Sequence, residues 1–165
     1  MDSSKINNWL ALIANVAVVG GIIFLAIEIR QNNEFLRSES RQTLVANDVT
    51  SLTANIENAD VFAKLVSEEG LSAEDQLRLS FMYALDLRNR EFEYFQYTNG
   101  LLDEETWLSY RQVILLNHSA GLGKTWWDEI GRGFVNPEFA ELVDELLANA
   151  QPDDTYKRMA TWANN

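Results

Sequence analysis

The amino-acid sequence predicts an all-α protein, in which an N-terminal transmembrane helix continues into a small soluble helical bundle. Three observations predict this fold. Every residue from Trp9 to Ile27 is uncharged, and nearly all are apolar. The rest of the 165-residue chain repeats apolar residues at helical intervals between cap residues and helix breakers. No segment shows the alternation of apolar and polar residues that is typical of a strand.

Residues 9–27 form the predicted membrane span. A helix of that length is about 28 Å long, close to the ~30 Å hydrocarbon core of a bilayer. A cleaved signal peptide, a buried core helix and an interfacial amphipathic helix are alternative interpretations. The span is favoured because the run has no small-residue cleavage site, belongs to a small chain and lacks a polar face. We therefore expect a transmembrane anchor over residues 1–30 and an acidic soluble α-helical bundle domain over residues 31–165.

The basic residues around the span predict its orientation. Lys5 is the only Lys or Arg before it, whereas Arg30, Arg37 and Arg41 follow it. The positive-inside rule then places the C-terminal domain in the cytoplasm. The absence of cysteine is compatible with a reducing compartment, although it does not require one.

Small residues within the span indicate contact with another helix. Ala17 and Gly21 have the small-xxx-small spacing, and Gly20 lies beside them. Such residues let two helices approach closely in lipid, and Asn15 could add a hydrogen bond between helices. The alternative is that Gly and Ala are simply common in membrane helices. We expect the span to pack against itself or against another membrane protein.

The charge balance excludes one class of partner. The chain has 25 acidic residues against 13 Lys and Arg, which gives a net charge of −12. A surface this negative repels phosphate backbones, so no nucleic acid partner is expected. Contact between the soluble domain and an anionic membrane surface is disfavoured for the same reason.

Helix is expected to continue beyond the span, because residues 34–55 contain no Pro or Gly. Asn32-Asn33 is an alternative kink. Five apolar residues recur there at helical intervals: Leu44, Val45, Val49, Leu52 and Ile56. A break is predicted at residues 58–60, and a short helical segment follows it and ends near Gly70.

The clearest soluble helix begins at Ser72, which forms a capping box with Asp75, and ends at Gly100. Its predicted buried stripe comprises Leu77, Phe81, Leu85, Phe92 and Phe95. Asp103 caps the next helix, which is expected to run to about Leu116.

Three further features complete the chain. A turn with Gly121 and Gly123 precedes a helical segment over residues 125–130, in which Trp126 and Trp127 are expected to close the bundle. Asn136-Pro137 opens the last clear helix. Its buried face is predicted to comprise Leu142, Val143, Leu146 and Leu147. Pro152 ends this helix, and residues 156–162 predict a marginal final turn.

Residues 118–125, HSAGLGKT, resemble a phosphate-binding loop. His118 occupies the position of the first glycine, and the chain has no parallel sheet or Asp-terminated strand to complete such a site. A helix–turn–helix junction is therefore predicted, and a nucleotide hydrolase using Lys124 and Thr125 is the least favoured hypothesis. A di-metal bundle is also disfavoured, because no Glu-x-x-His motif is present. No catalytic residue, metal or cofactor is expected.

Arg88 is the most unusual residue of the predicted stripe. Its spacing from Leu85 and Phe92 predicts burial, where a guanidinium must pair with a carboxylate or carbonyl groups. Glu91 lies at i+3 on the same face. Two interpretations stay open: an anion-binding arginine in a pocket, or a structural ion pair that fixes the helix register.

The order of these segments resembles a known group. The span with its flanks, the Arg88 region, NGLLDEETW (residues 99–107) and WWDEIGRGFVNPEF (residues 126–139) together resemble a widespread group of small bacterial single-span membrane proteins with a C-terminal helical domain. The resemblance covers most of the chain and implies a bacterial inner-membrane location. It implies no activity, so no catalytic residue is transferred.

Two functions from different classes follow. The first is a membrane-anchored accessory or assembly module without catalytic activity, which packs against itself or another membrane protein. The alternative is a sensor or binding domain for a small anionic ligand, centred on Arg88 and Glu91.

Overall fold

The computed structural model of the protein describes residues 3–67, 69–152 and 155–162. Over these residues the chain is all-α, as the sequence predicts, and forms no strand. The elements are α1 (Ser3–Glu57), α2 (Ala59–Val66), α3 (Ala73–Thr98), α4 (Glu104–His118), α5 (Gly121–Glu129), the 3₁₀ helix Gly131–Phe134, α6 (Pro137–Ala148) and α7 (Thr155–Thr161). The chain divides into two compact units, Met1–Glu39 and Ser40–Asn165.

The first unit consists of the N-terminal part of α1. The helix is unbroken through Asn32 and Asn33, so these residues do not form a kink. All of its described side chains up to Glu39 are exposed. Within the described residues, α1 is the one helix long and apolar enough to cross a membrane, with a mean hydropathy of 2.7 over its most apolar window. None of that window is covered by the described chain, so the buried-core interpretation is wrong. The membrane boundary predicted after residue 30 stays a prediction.

Local signals start and stop the helices of the second unit where the sequence predicts. Ser72 Oγ accepts a hydrogen bond from the Asp75 N–H, and the Asp75 carboxylate accepts one from the Ser72 N–H. Asp103 caps α4 through the Thr106 N–H, and Asn136 caps α6 through the Phe139 N–H. These caps satisfy backbone donors that have no partner within their own helix, which fixes where each helix begins.

The core of the second unit forms where α3, α4, α5 and α6 pack together. Trp126 and Trp127 are buried there, as predicted. Their indole N–H groups donate to Ser80 Oγ at 2.7 Å and to Asp144 Oδ1 at 2.9 Å. The largest fully buried side chains are Trp127, Phe139, Leu87, Ile114, His118, Glu93, Val61 and Val143. Two of these are polar, so the interior is not purely apolar.

The buried stripe predicted for α3 is wrong at three of its five positions, whereas Leu85 and Phe92 are half-buried. Leu77, Phe81 and Phe95 are largely exposed, and the face that enters the core also carries charged residues. The buried or nearly buried residues of α3 are Asp75, Leu79, Met82, Tyr83, Ala84, Leu87, Asn89, Arg90, Glu91, Glu93 and Gln96. An apolar pattern does not identify this face, because its charged residues pair with one another and with partners from other helices.

Arg90 is the buried arginine, and Arg88 is not. The Arg90 side chain is 3% exposed, lies 2.9 Å from Glu93 Oε1 and 3.3 Å from Asp48 Oδ1, and its guanidinium carbon sits 4.8 Å from the centre of the Tyr110 ring. The Arg88 side chain is 62% exposed. Two arginines one residue apart on α3 therefore have opposite environments.

This contrast predicts different effects of the same substitution. Arg90→Met removes the buried cation that the Asp48 and Asp86 carboxylates share, and we expect it to lower the free energy of unfolding by about 3–5 kcal/mol. Arg88→Met removes a cation that is itself exposed, while Glu91 keeps its hydrogen bond from the Asn136 N–H, so the substitution should cost less than about 1 kcal/mol. Urea unfolding of the detergent-solubilised chain, followed by tryptophan fluorescence, measures both. Equal losses in the two variants would contradict the role given to Arg90.

Candidate functional site

The C-terminal part of α1 turns its polar face towards the bundle. Ser40 and Leu44 are buried, and the next residues on that face, among them Ser51, are half-buried. Asn89 Nδ2 donates to Ser51 Oγ at 2.7 Å, and Arg78 Nε donates to Asn58 Oδ1 at 2.8 Å. Small and polar residues thus hold this segment against α3.

Asp48 is the strongest of these attachments. One of its oxygens accepts a hydrogen bond from Arg90 Nη2 at 3.3 Å, and the other accepts one from the Tyr110 hydroxyl at 3.0 Å. Asp86 Oδ1 lies 3.9 Å from Arg90 Nε, and Glu93 completes the group. A single guanidinium therefore serves three carboxylates contributed by α1 and α3.

Glu93 is an acid of this cluster whose ionised form is disfavoured by burial. Its side chain is fully buried, and neither of its oxygens makes a hydrogen bond of good geometry. Burial raises the pKa of Glu93 to about 8 despite the neighbouring Arg90, and Asp48 and Asp86 add to the increase. Burial likewise raises the pKa of Asp86. The cluster thus favours a protonated Glu93 near neutral pH.

The opposite face of the same α1 segment is apolar and faces away from the bundle. We call Val45, Val49, Leu52 and Ile56 the outer α1 stripe. Each of these side chains is between 57 and 74% exposed. Their helical spacing groups these four residues with Leu44, but only Leu44 enters the core. The most apolar face of α1 in the second unit is therefore left uncovered by the described chain.

The ligand-binding hypothesis placed Arg88 and Glu91 in a buried pocket. Arg88 is at the surface, and its Nη1 lies 2.5 Å from Glu91 Oε2. Glu91 Oε1 accepts a hydrogen bond from the Asn136 N–H at 2.7 Å, at the start of α6. The burial predicted for Arg88 is wrong, and the geometry is that of an ion pair that holds the α6 N-terminus. Binding of an anion by Arg88 stays a prediction.

The residues proposed to pack in the membrane all lie on the exposed surface of α1. Asn15, Ala17, Gly20 and Gly21 are all exposed. A Cβ added at Gly20 or Gly21 would meet nothing within 4 Å. The fold of the chain itself therefore gives no reason for glycine at either position.

The segment that resembles a phosphate-binding loop is a helix junction, as predicted. Lys124 Nζ lies 2.5 Å from both carboxylate oxygens of Asp128, and Thr125 Oγ1 donates to the Gly121 carbonyl at 3.3 Å. Gly123 is required there, because a Cβ would lie 1.7 Å from the Asn117 carbonyl oxygen. The predicted helix 125–130 begins earlier than expected, at Gly121.

His118 ends α4 in the core. Its Nδ1 lies 3.2 Å from the Gly123 carbonyl oxygen, which can only accept, so Nδ1 carries the proton. Burial lowers the pKa of His118 to about 4, and its ring stacks on Trp126. A neutral histidine with these neighbours joins the α4–α5 junction to the core and has no nucleophile to activate among them.

Comparison with known proteins does not assign this chain to a family. No protein-family description, curated protein or solved structure matches the chain. The described residues contain no group of three His, Cys, Asp or Glu side chains arranged to hold a metal ion. The resemblance to bacterial single-span proteins therefore stays a prediction.

The buried cluster predicts a specific pH dependence. Between pH 4.5 and 8 the folded protein keeps a proton on Glu93 that the unfolded chain loses, so stability falls as pH rises. His118 acts in the opposite direction between about pH 4 and 6.5, because only the unfolded chain is protonated there. The fall should therefore emerge between pH 6.5 and 8, with a slope of at most about 1.4 kcal/mol per pH unit.

Glu93→Gln removes this titration while keeping the shape of the side chain. We expect its free energy of unfolding to be nearly constant between pH 6.5 and 8, as measured by urea titration at several pH values. Glu138→Gln, at the surface next to Tyr94, is the control and should keep the wild-type slope. The same slope in Glu93→Gln as in the wild type would rule out Glu93 as its source.

Proposed function

We propose that this protein is a membrane-anchored helical assembly module that associates with a second copy of itself through α1. The observation that carries the proposal is the outer α1 stripe. Four large apolar side chains in a row, each more than half exposed, are unusual on a soluble surface and mark an interaction site. The polar attachments of Asp48, Ser51 and Asn58 keep the stripe pointing outwards.

The spacing of the stripe fits a second copy. Val45, Val49, Leu52 and Ile56 follow one another at intervals of 4, 3 and 4 residues, which is the d-a-d-a order of a heptad. Val and Ile then occupy both a positions, and Leu occupies one d position. β-Branched residues at a with Leu at d favour a parallel two-stranded coiled coil. Two copies inserted in one membrane with the same topology are necessarily parallel.

Charge favours the same partner at this place. The chain as a whole is strongly acidic, so two copies repel each other over most of their surfaces. The residues beside the stripe are mostly uncharged, and its charged neighbours Arg41 and Asp48 are paired with Asp103 and Arg90 of the same chain. The stripe is therefore a neutral, apolar surface on which self-association is not opposed.

The membrane segment supports helix contact independently. Glycine within a helix costs about 1 kcal/mol relative to alanine, and the described chain contains no neighbour that requires Gly20 or Gly21. A partner helix that approaches closely along Ala17 and Gly21 supplies the missing reason. Asn15 would then be placed to form a hydrogen bond to the partner helix.

The location completes the proposal. The span, the resemblance to bacterial single-span proteins and the excess of Arg after the span support a single-pass protein of the bacterial inner membrane with its C-terminal domain in the cytoplasm. A module of this kind would act by holding two copies, and whatever they carry, together at the membrane surface.

Cysteine cross-linking tests the stripe directly, because the chain has no cysteine of its own. Leu52→Cys, at a d position, should form a disulfide-linked dimer in native membranes under mild oxidation, since d residues of a parallel pair face each other. Thr50→Cys is the matched control, because Thr50 is exposed on another face of the helix and should stay monomeric. Cross-linking is read on a non-reducing gel.

Equal cross-linking at Thr50 and Leu52, or none at either, would overturn the proposed contact. Capture of Leu52→Cys by a different protein, with no dimer formed, would also overturn the choice of a second copy. Val49→Asp extends the test: it should dissociate the dimer in native mass spectrometry, whereas Thr50→Asp should not.

The membrane contact has its own test. Ala17→Leu combined with Gly21→Leu places two large side chains on the face where the two helices approach closely. We expect this double variant to weaken association of the span at least tenfold, as measured by a membrane two-hybrid assay. Val18→Leu with Ile22→Leu, at neighbouring positions that are already large, is the control. Unchanged association in the first variant would show that Ala17 and Gly21 are not at a helix contact.

A further inference from the structure

A cleft of about 370 Å³ opens between α2, α4, α5 and α7 of the second unit. It lies away from Arg88 and from the outer α1 stripe, and the proposed assembly does not use it. Its volume falls at the lower end of the range for small-molecule sites. Its polar groups lie mainly at the α4–α5 junction, and its apolar wall comes from Leu65, Val66 and Leu116.

The N-terminus of α5 enters this cleft without a cap. The N-cap residue is Ala120, which has no side-chain acceptor. The amide N–H groups of Gly121, Leu122 and Gly123 have no acceptor among the residues that the structure describes. Three free donors at the positive end of a helix dipole attract a negatively charged group.

Tyr83 provides an independent observation at the same place. The side chain is 5% exposed and lines the cleft, and its hydroxyl makes no hydrogen bond to any described residue. The hydroxyl reaches to within 3.4 Å of where a Cβ on Gly123 would lie, which places it beside the α5 amides. Burial alone raises the pKa of Tyr83 to about 12, so the hydroxyl keeps its proton. The hydroxyl oxygen opens on the cleft, so this otherwise buried phenol can donate to an acceptor that is bound there.

The remaining polar groups of the cleft are arranged around these donors. The Tyr156 hydroxyl is hydrogen-bonded to Asn117 Oδ1, and Asn117 Nδ2 donates to Asp86 Oδ2 at 2.8 Å. Asn117 and Tyr156 are therefore held in place by each other and by the buried cluster. Lys157 lies at the rim and supplies a cation.

We infer that this cleft binds a small organic monocarboxylate, whose carboxylate is held by the α5 amides and the Tyr83 hydroxyl and whose apolar body lies against Leu65, Val66 and Leu116. A monoanion is preferred to a phosphate dianion because Glu69 also lines the cleft and the domain is acidic overall. The size of the cleft suits a ligand with one ring or a short chain.

The test uses phenylacetate as the probe and the full-length protein in nanodiscs. Binding is followed by the change in tryptophan fluorescence, to which Trp126 contributes because its ring centre lies 5.5 Å from that of Tyr83. Phenylacetate should bind with a Kd in the low millimolar range or tighter, and the uncharged phenylacetamide should bind at least tenfold more weakly. Laurate is titrated in the same way. Tighter binding of laurate than of phenylacetate would indicate a long-chain fatty acid as the ligand, and weaker binding would indicate a small soluble acid.

Two variants locate the site. Tyr83→Phe should weaken phenylacetate binding about tenfold or more, the effect of one hydrogen bond to a charged group, while keeping the ring that packs in the core. Lys157→Gln should weaken it by a smaller factor. Tyr97→Phe, on α3 beside Trp107, is the control and should bind like the wild type.

Three results would overturn the inference: no saturable binding of phenylacetate up to tens of millimolar, equal binding of phenylacetamide, or binding that Tyr83→Phe leaves unchanged. Tighter binding of phenyl phosphate than of phenylacetate would overturn the choice of a carboxylate. None of these outcomes depends on whether the protein dimerises, so the proposed assembly is tested separately.

Discussion

The contact between Arg90 and Asp48 determines how α1 lies on the bundle. In a low-dielectric interior a guanidinium must have anionic partners, and those partners must have it. Asp48 lies on α1, while Asp86 and Glu93 lie on α3 with the arginine itself. Because the cation is fixed on α3, the α1 segment must present Asp48 to it, and the rotation of the helix about its axis is set by that requirement. The exposed position of Val45, Val49, Leu52 and Ile56 is a consequence.

The all-α fold and most of the helix boundaries could be predicted from local sequence signals. The capping box at Ser72, the caps at Asp103 and Asn136 and the glycine at residue 100 act on a few neighbouring residues, so the sequence alone contains the whole interaction. The uncharged run from Trp9 to Ile27 is equally local. These features sufficed for the all-α fold and for most of the helix boundaries.

Which face of a helix is buried could not be predicted in the same way. The apolar spacing of α3 selected Leu77, Phe81 and Phe95, whereas the core took the face with Arg90 and Glu93. On α1, likewise, only Leu44 of the apolar set enters the core. On both helices the buried face is determined by the ion pair between Arg90 and Asp48, which lie far apart in sequence. The periodicity of apolar residues does not detect such a pair. A weak signal was available, since Asp86, Arg90 and Glu93 are spaced at i, i+4 and i+7 on one helix face.

Three glycines of this chain are subject to two different constraints and should differ in their evolutionary histories. Gly123 is held by a backbone carbonyl of its own chain, so every descendant that keeps the α4–α5 junction has to keep it. Gly20 and Gly21 meet no such constraint from within the fold. They should therefore drift to alanine or larger residues in lineages that lose the partner helix, and persist in those that retain it. The pattern of variation at three positions would then record when association was gained or lost, independently of any change in the fold.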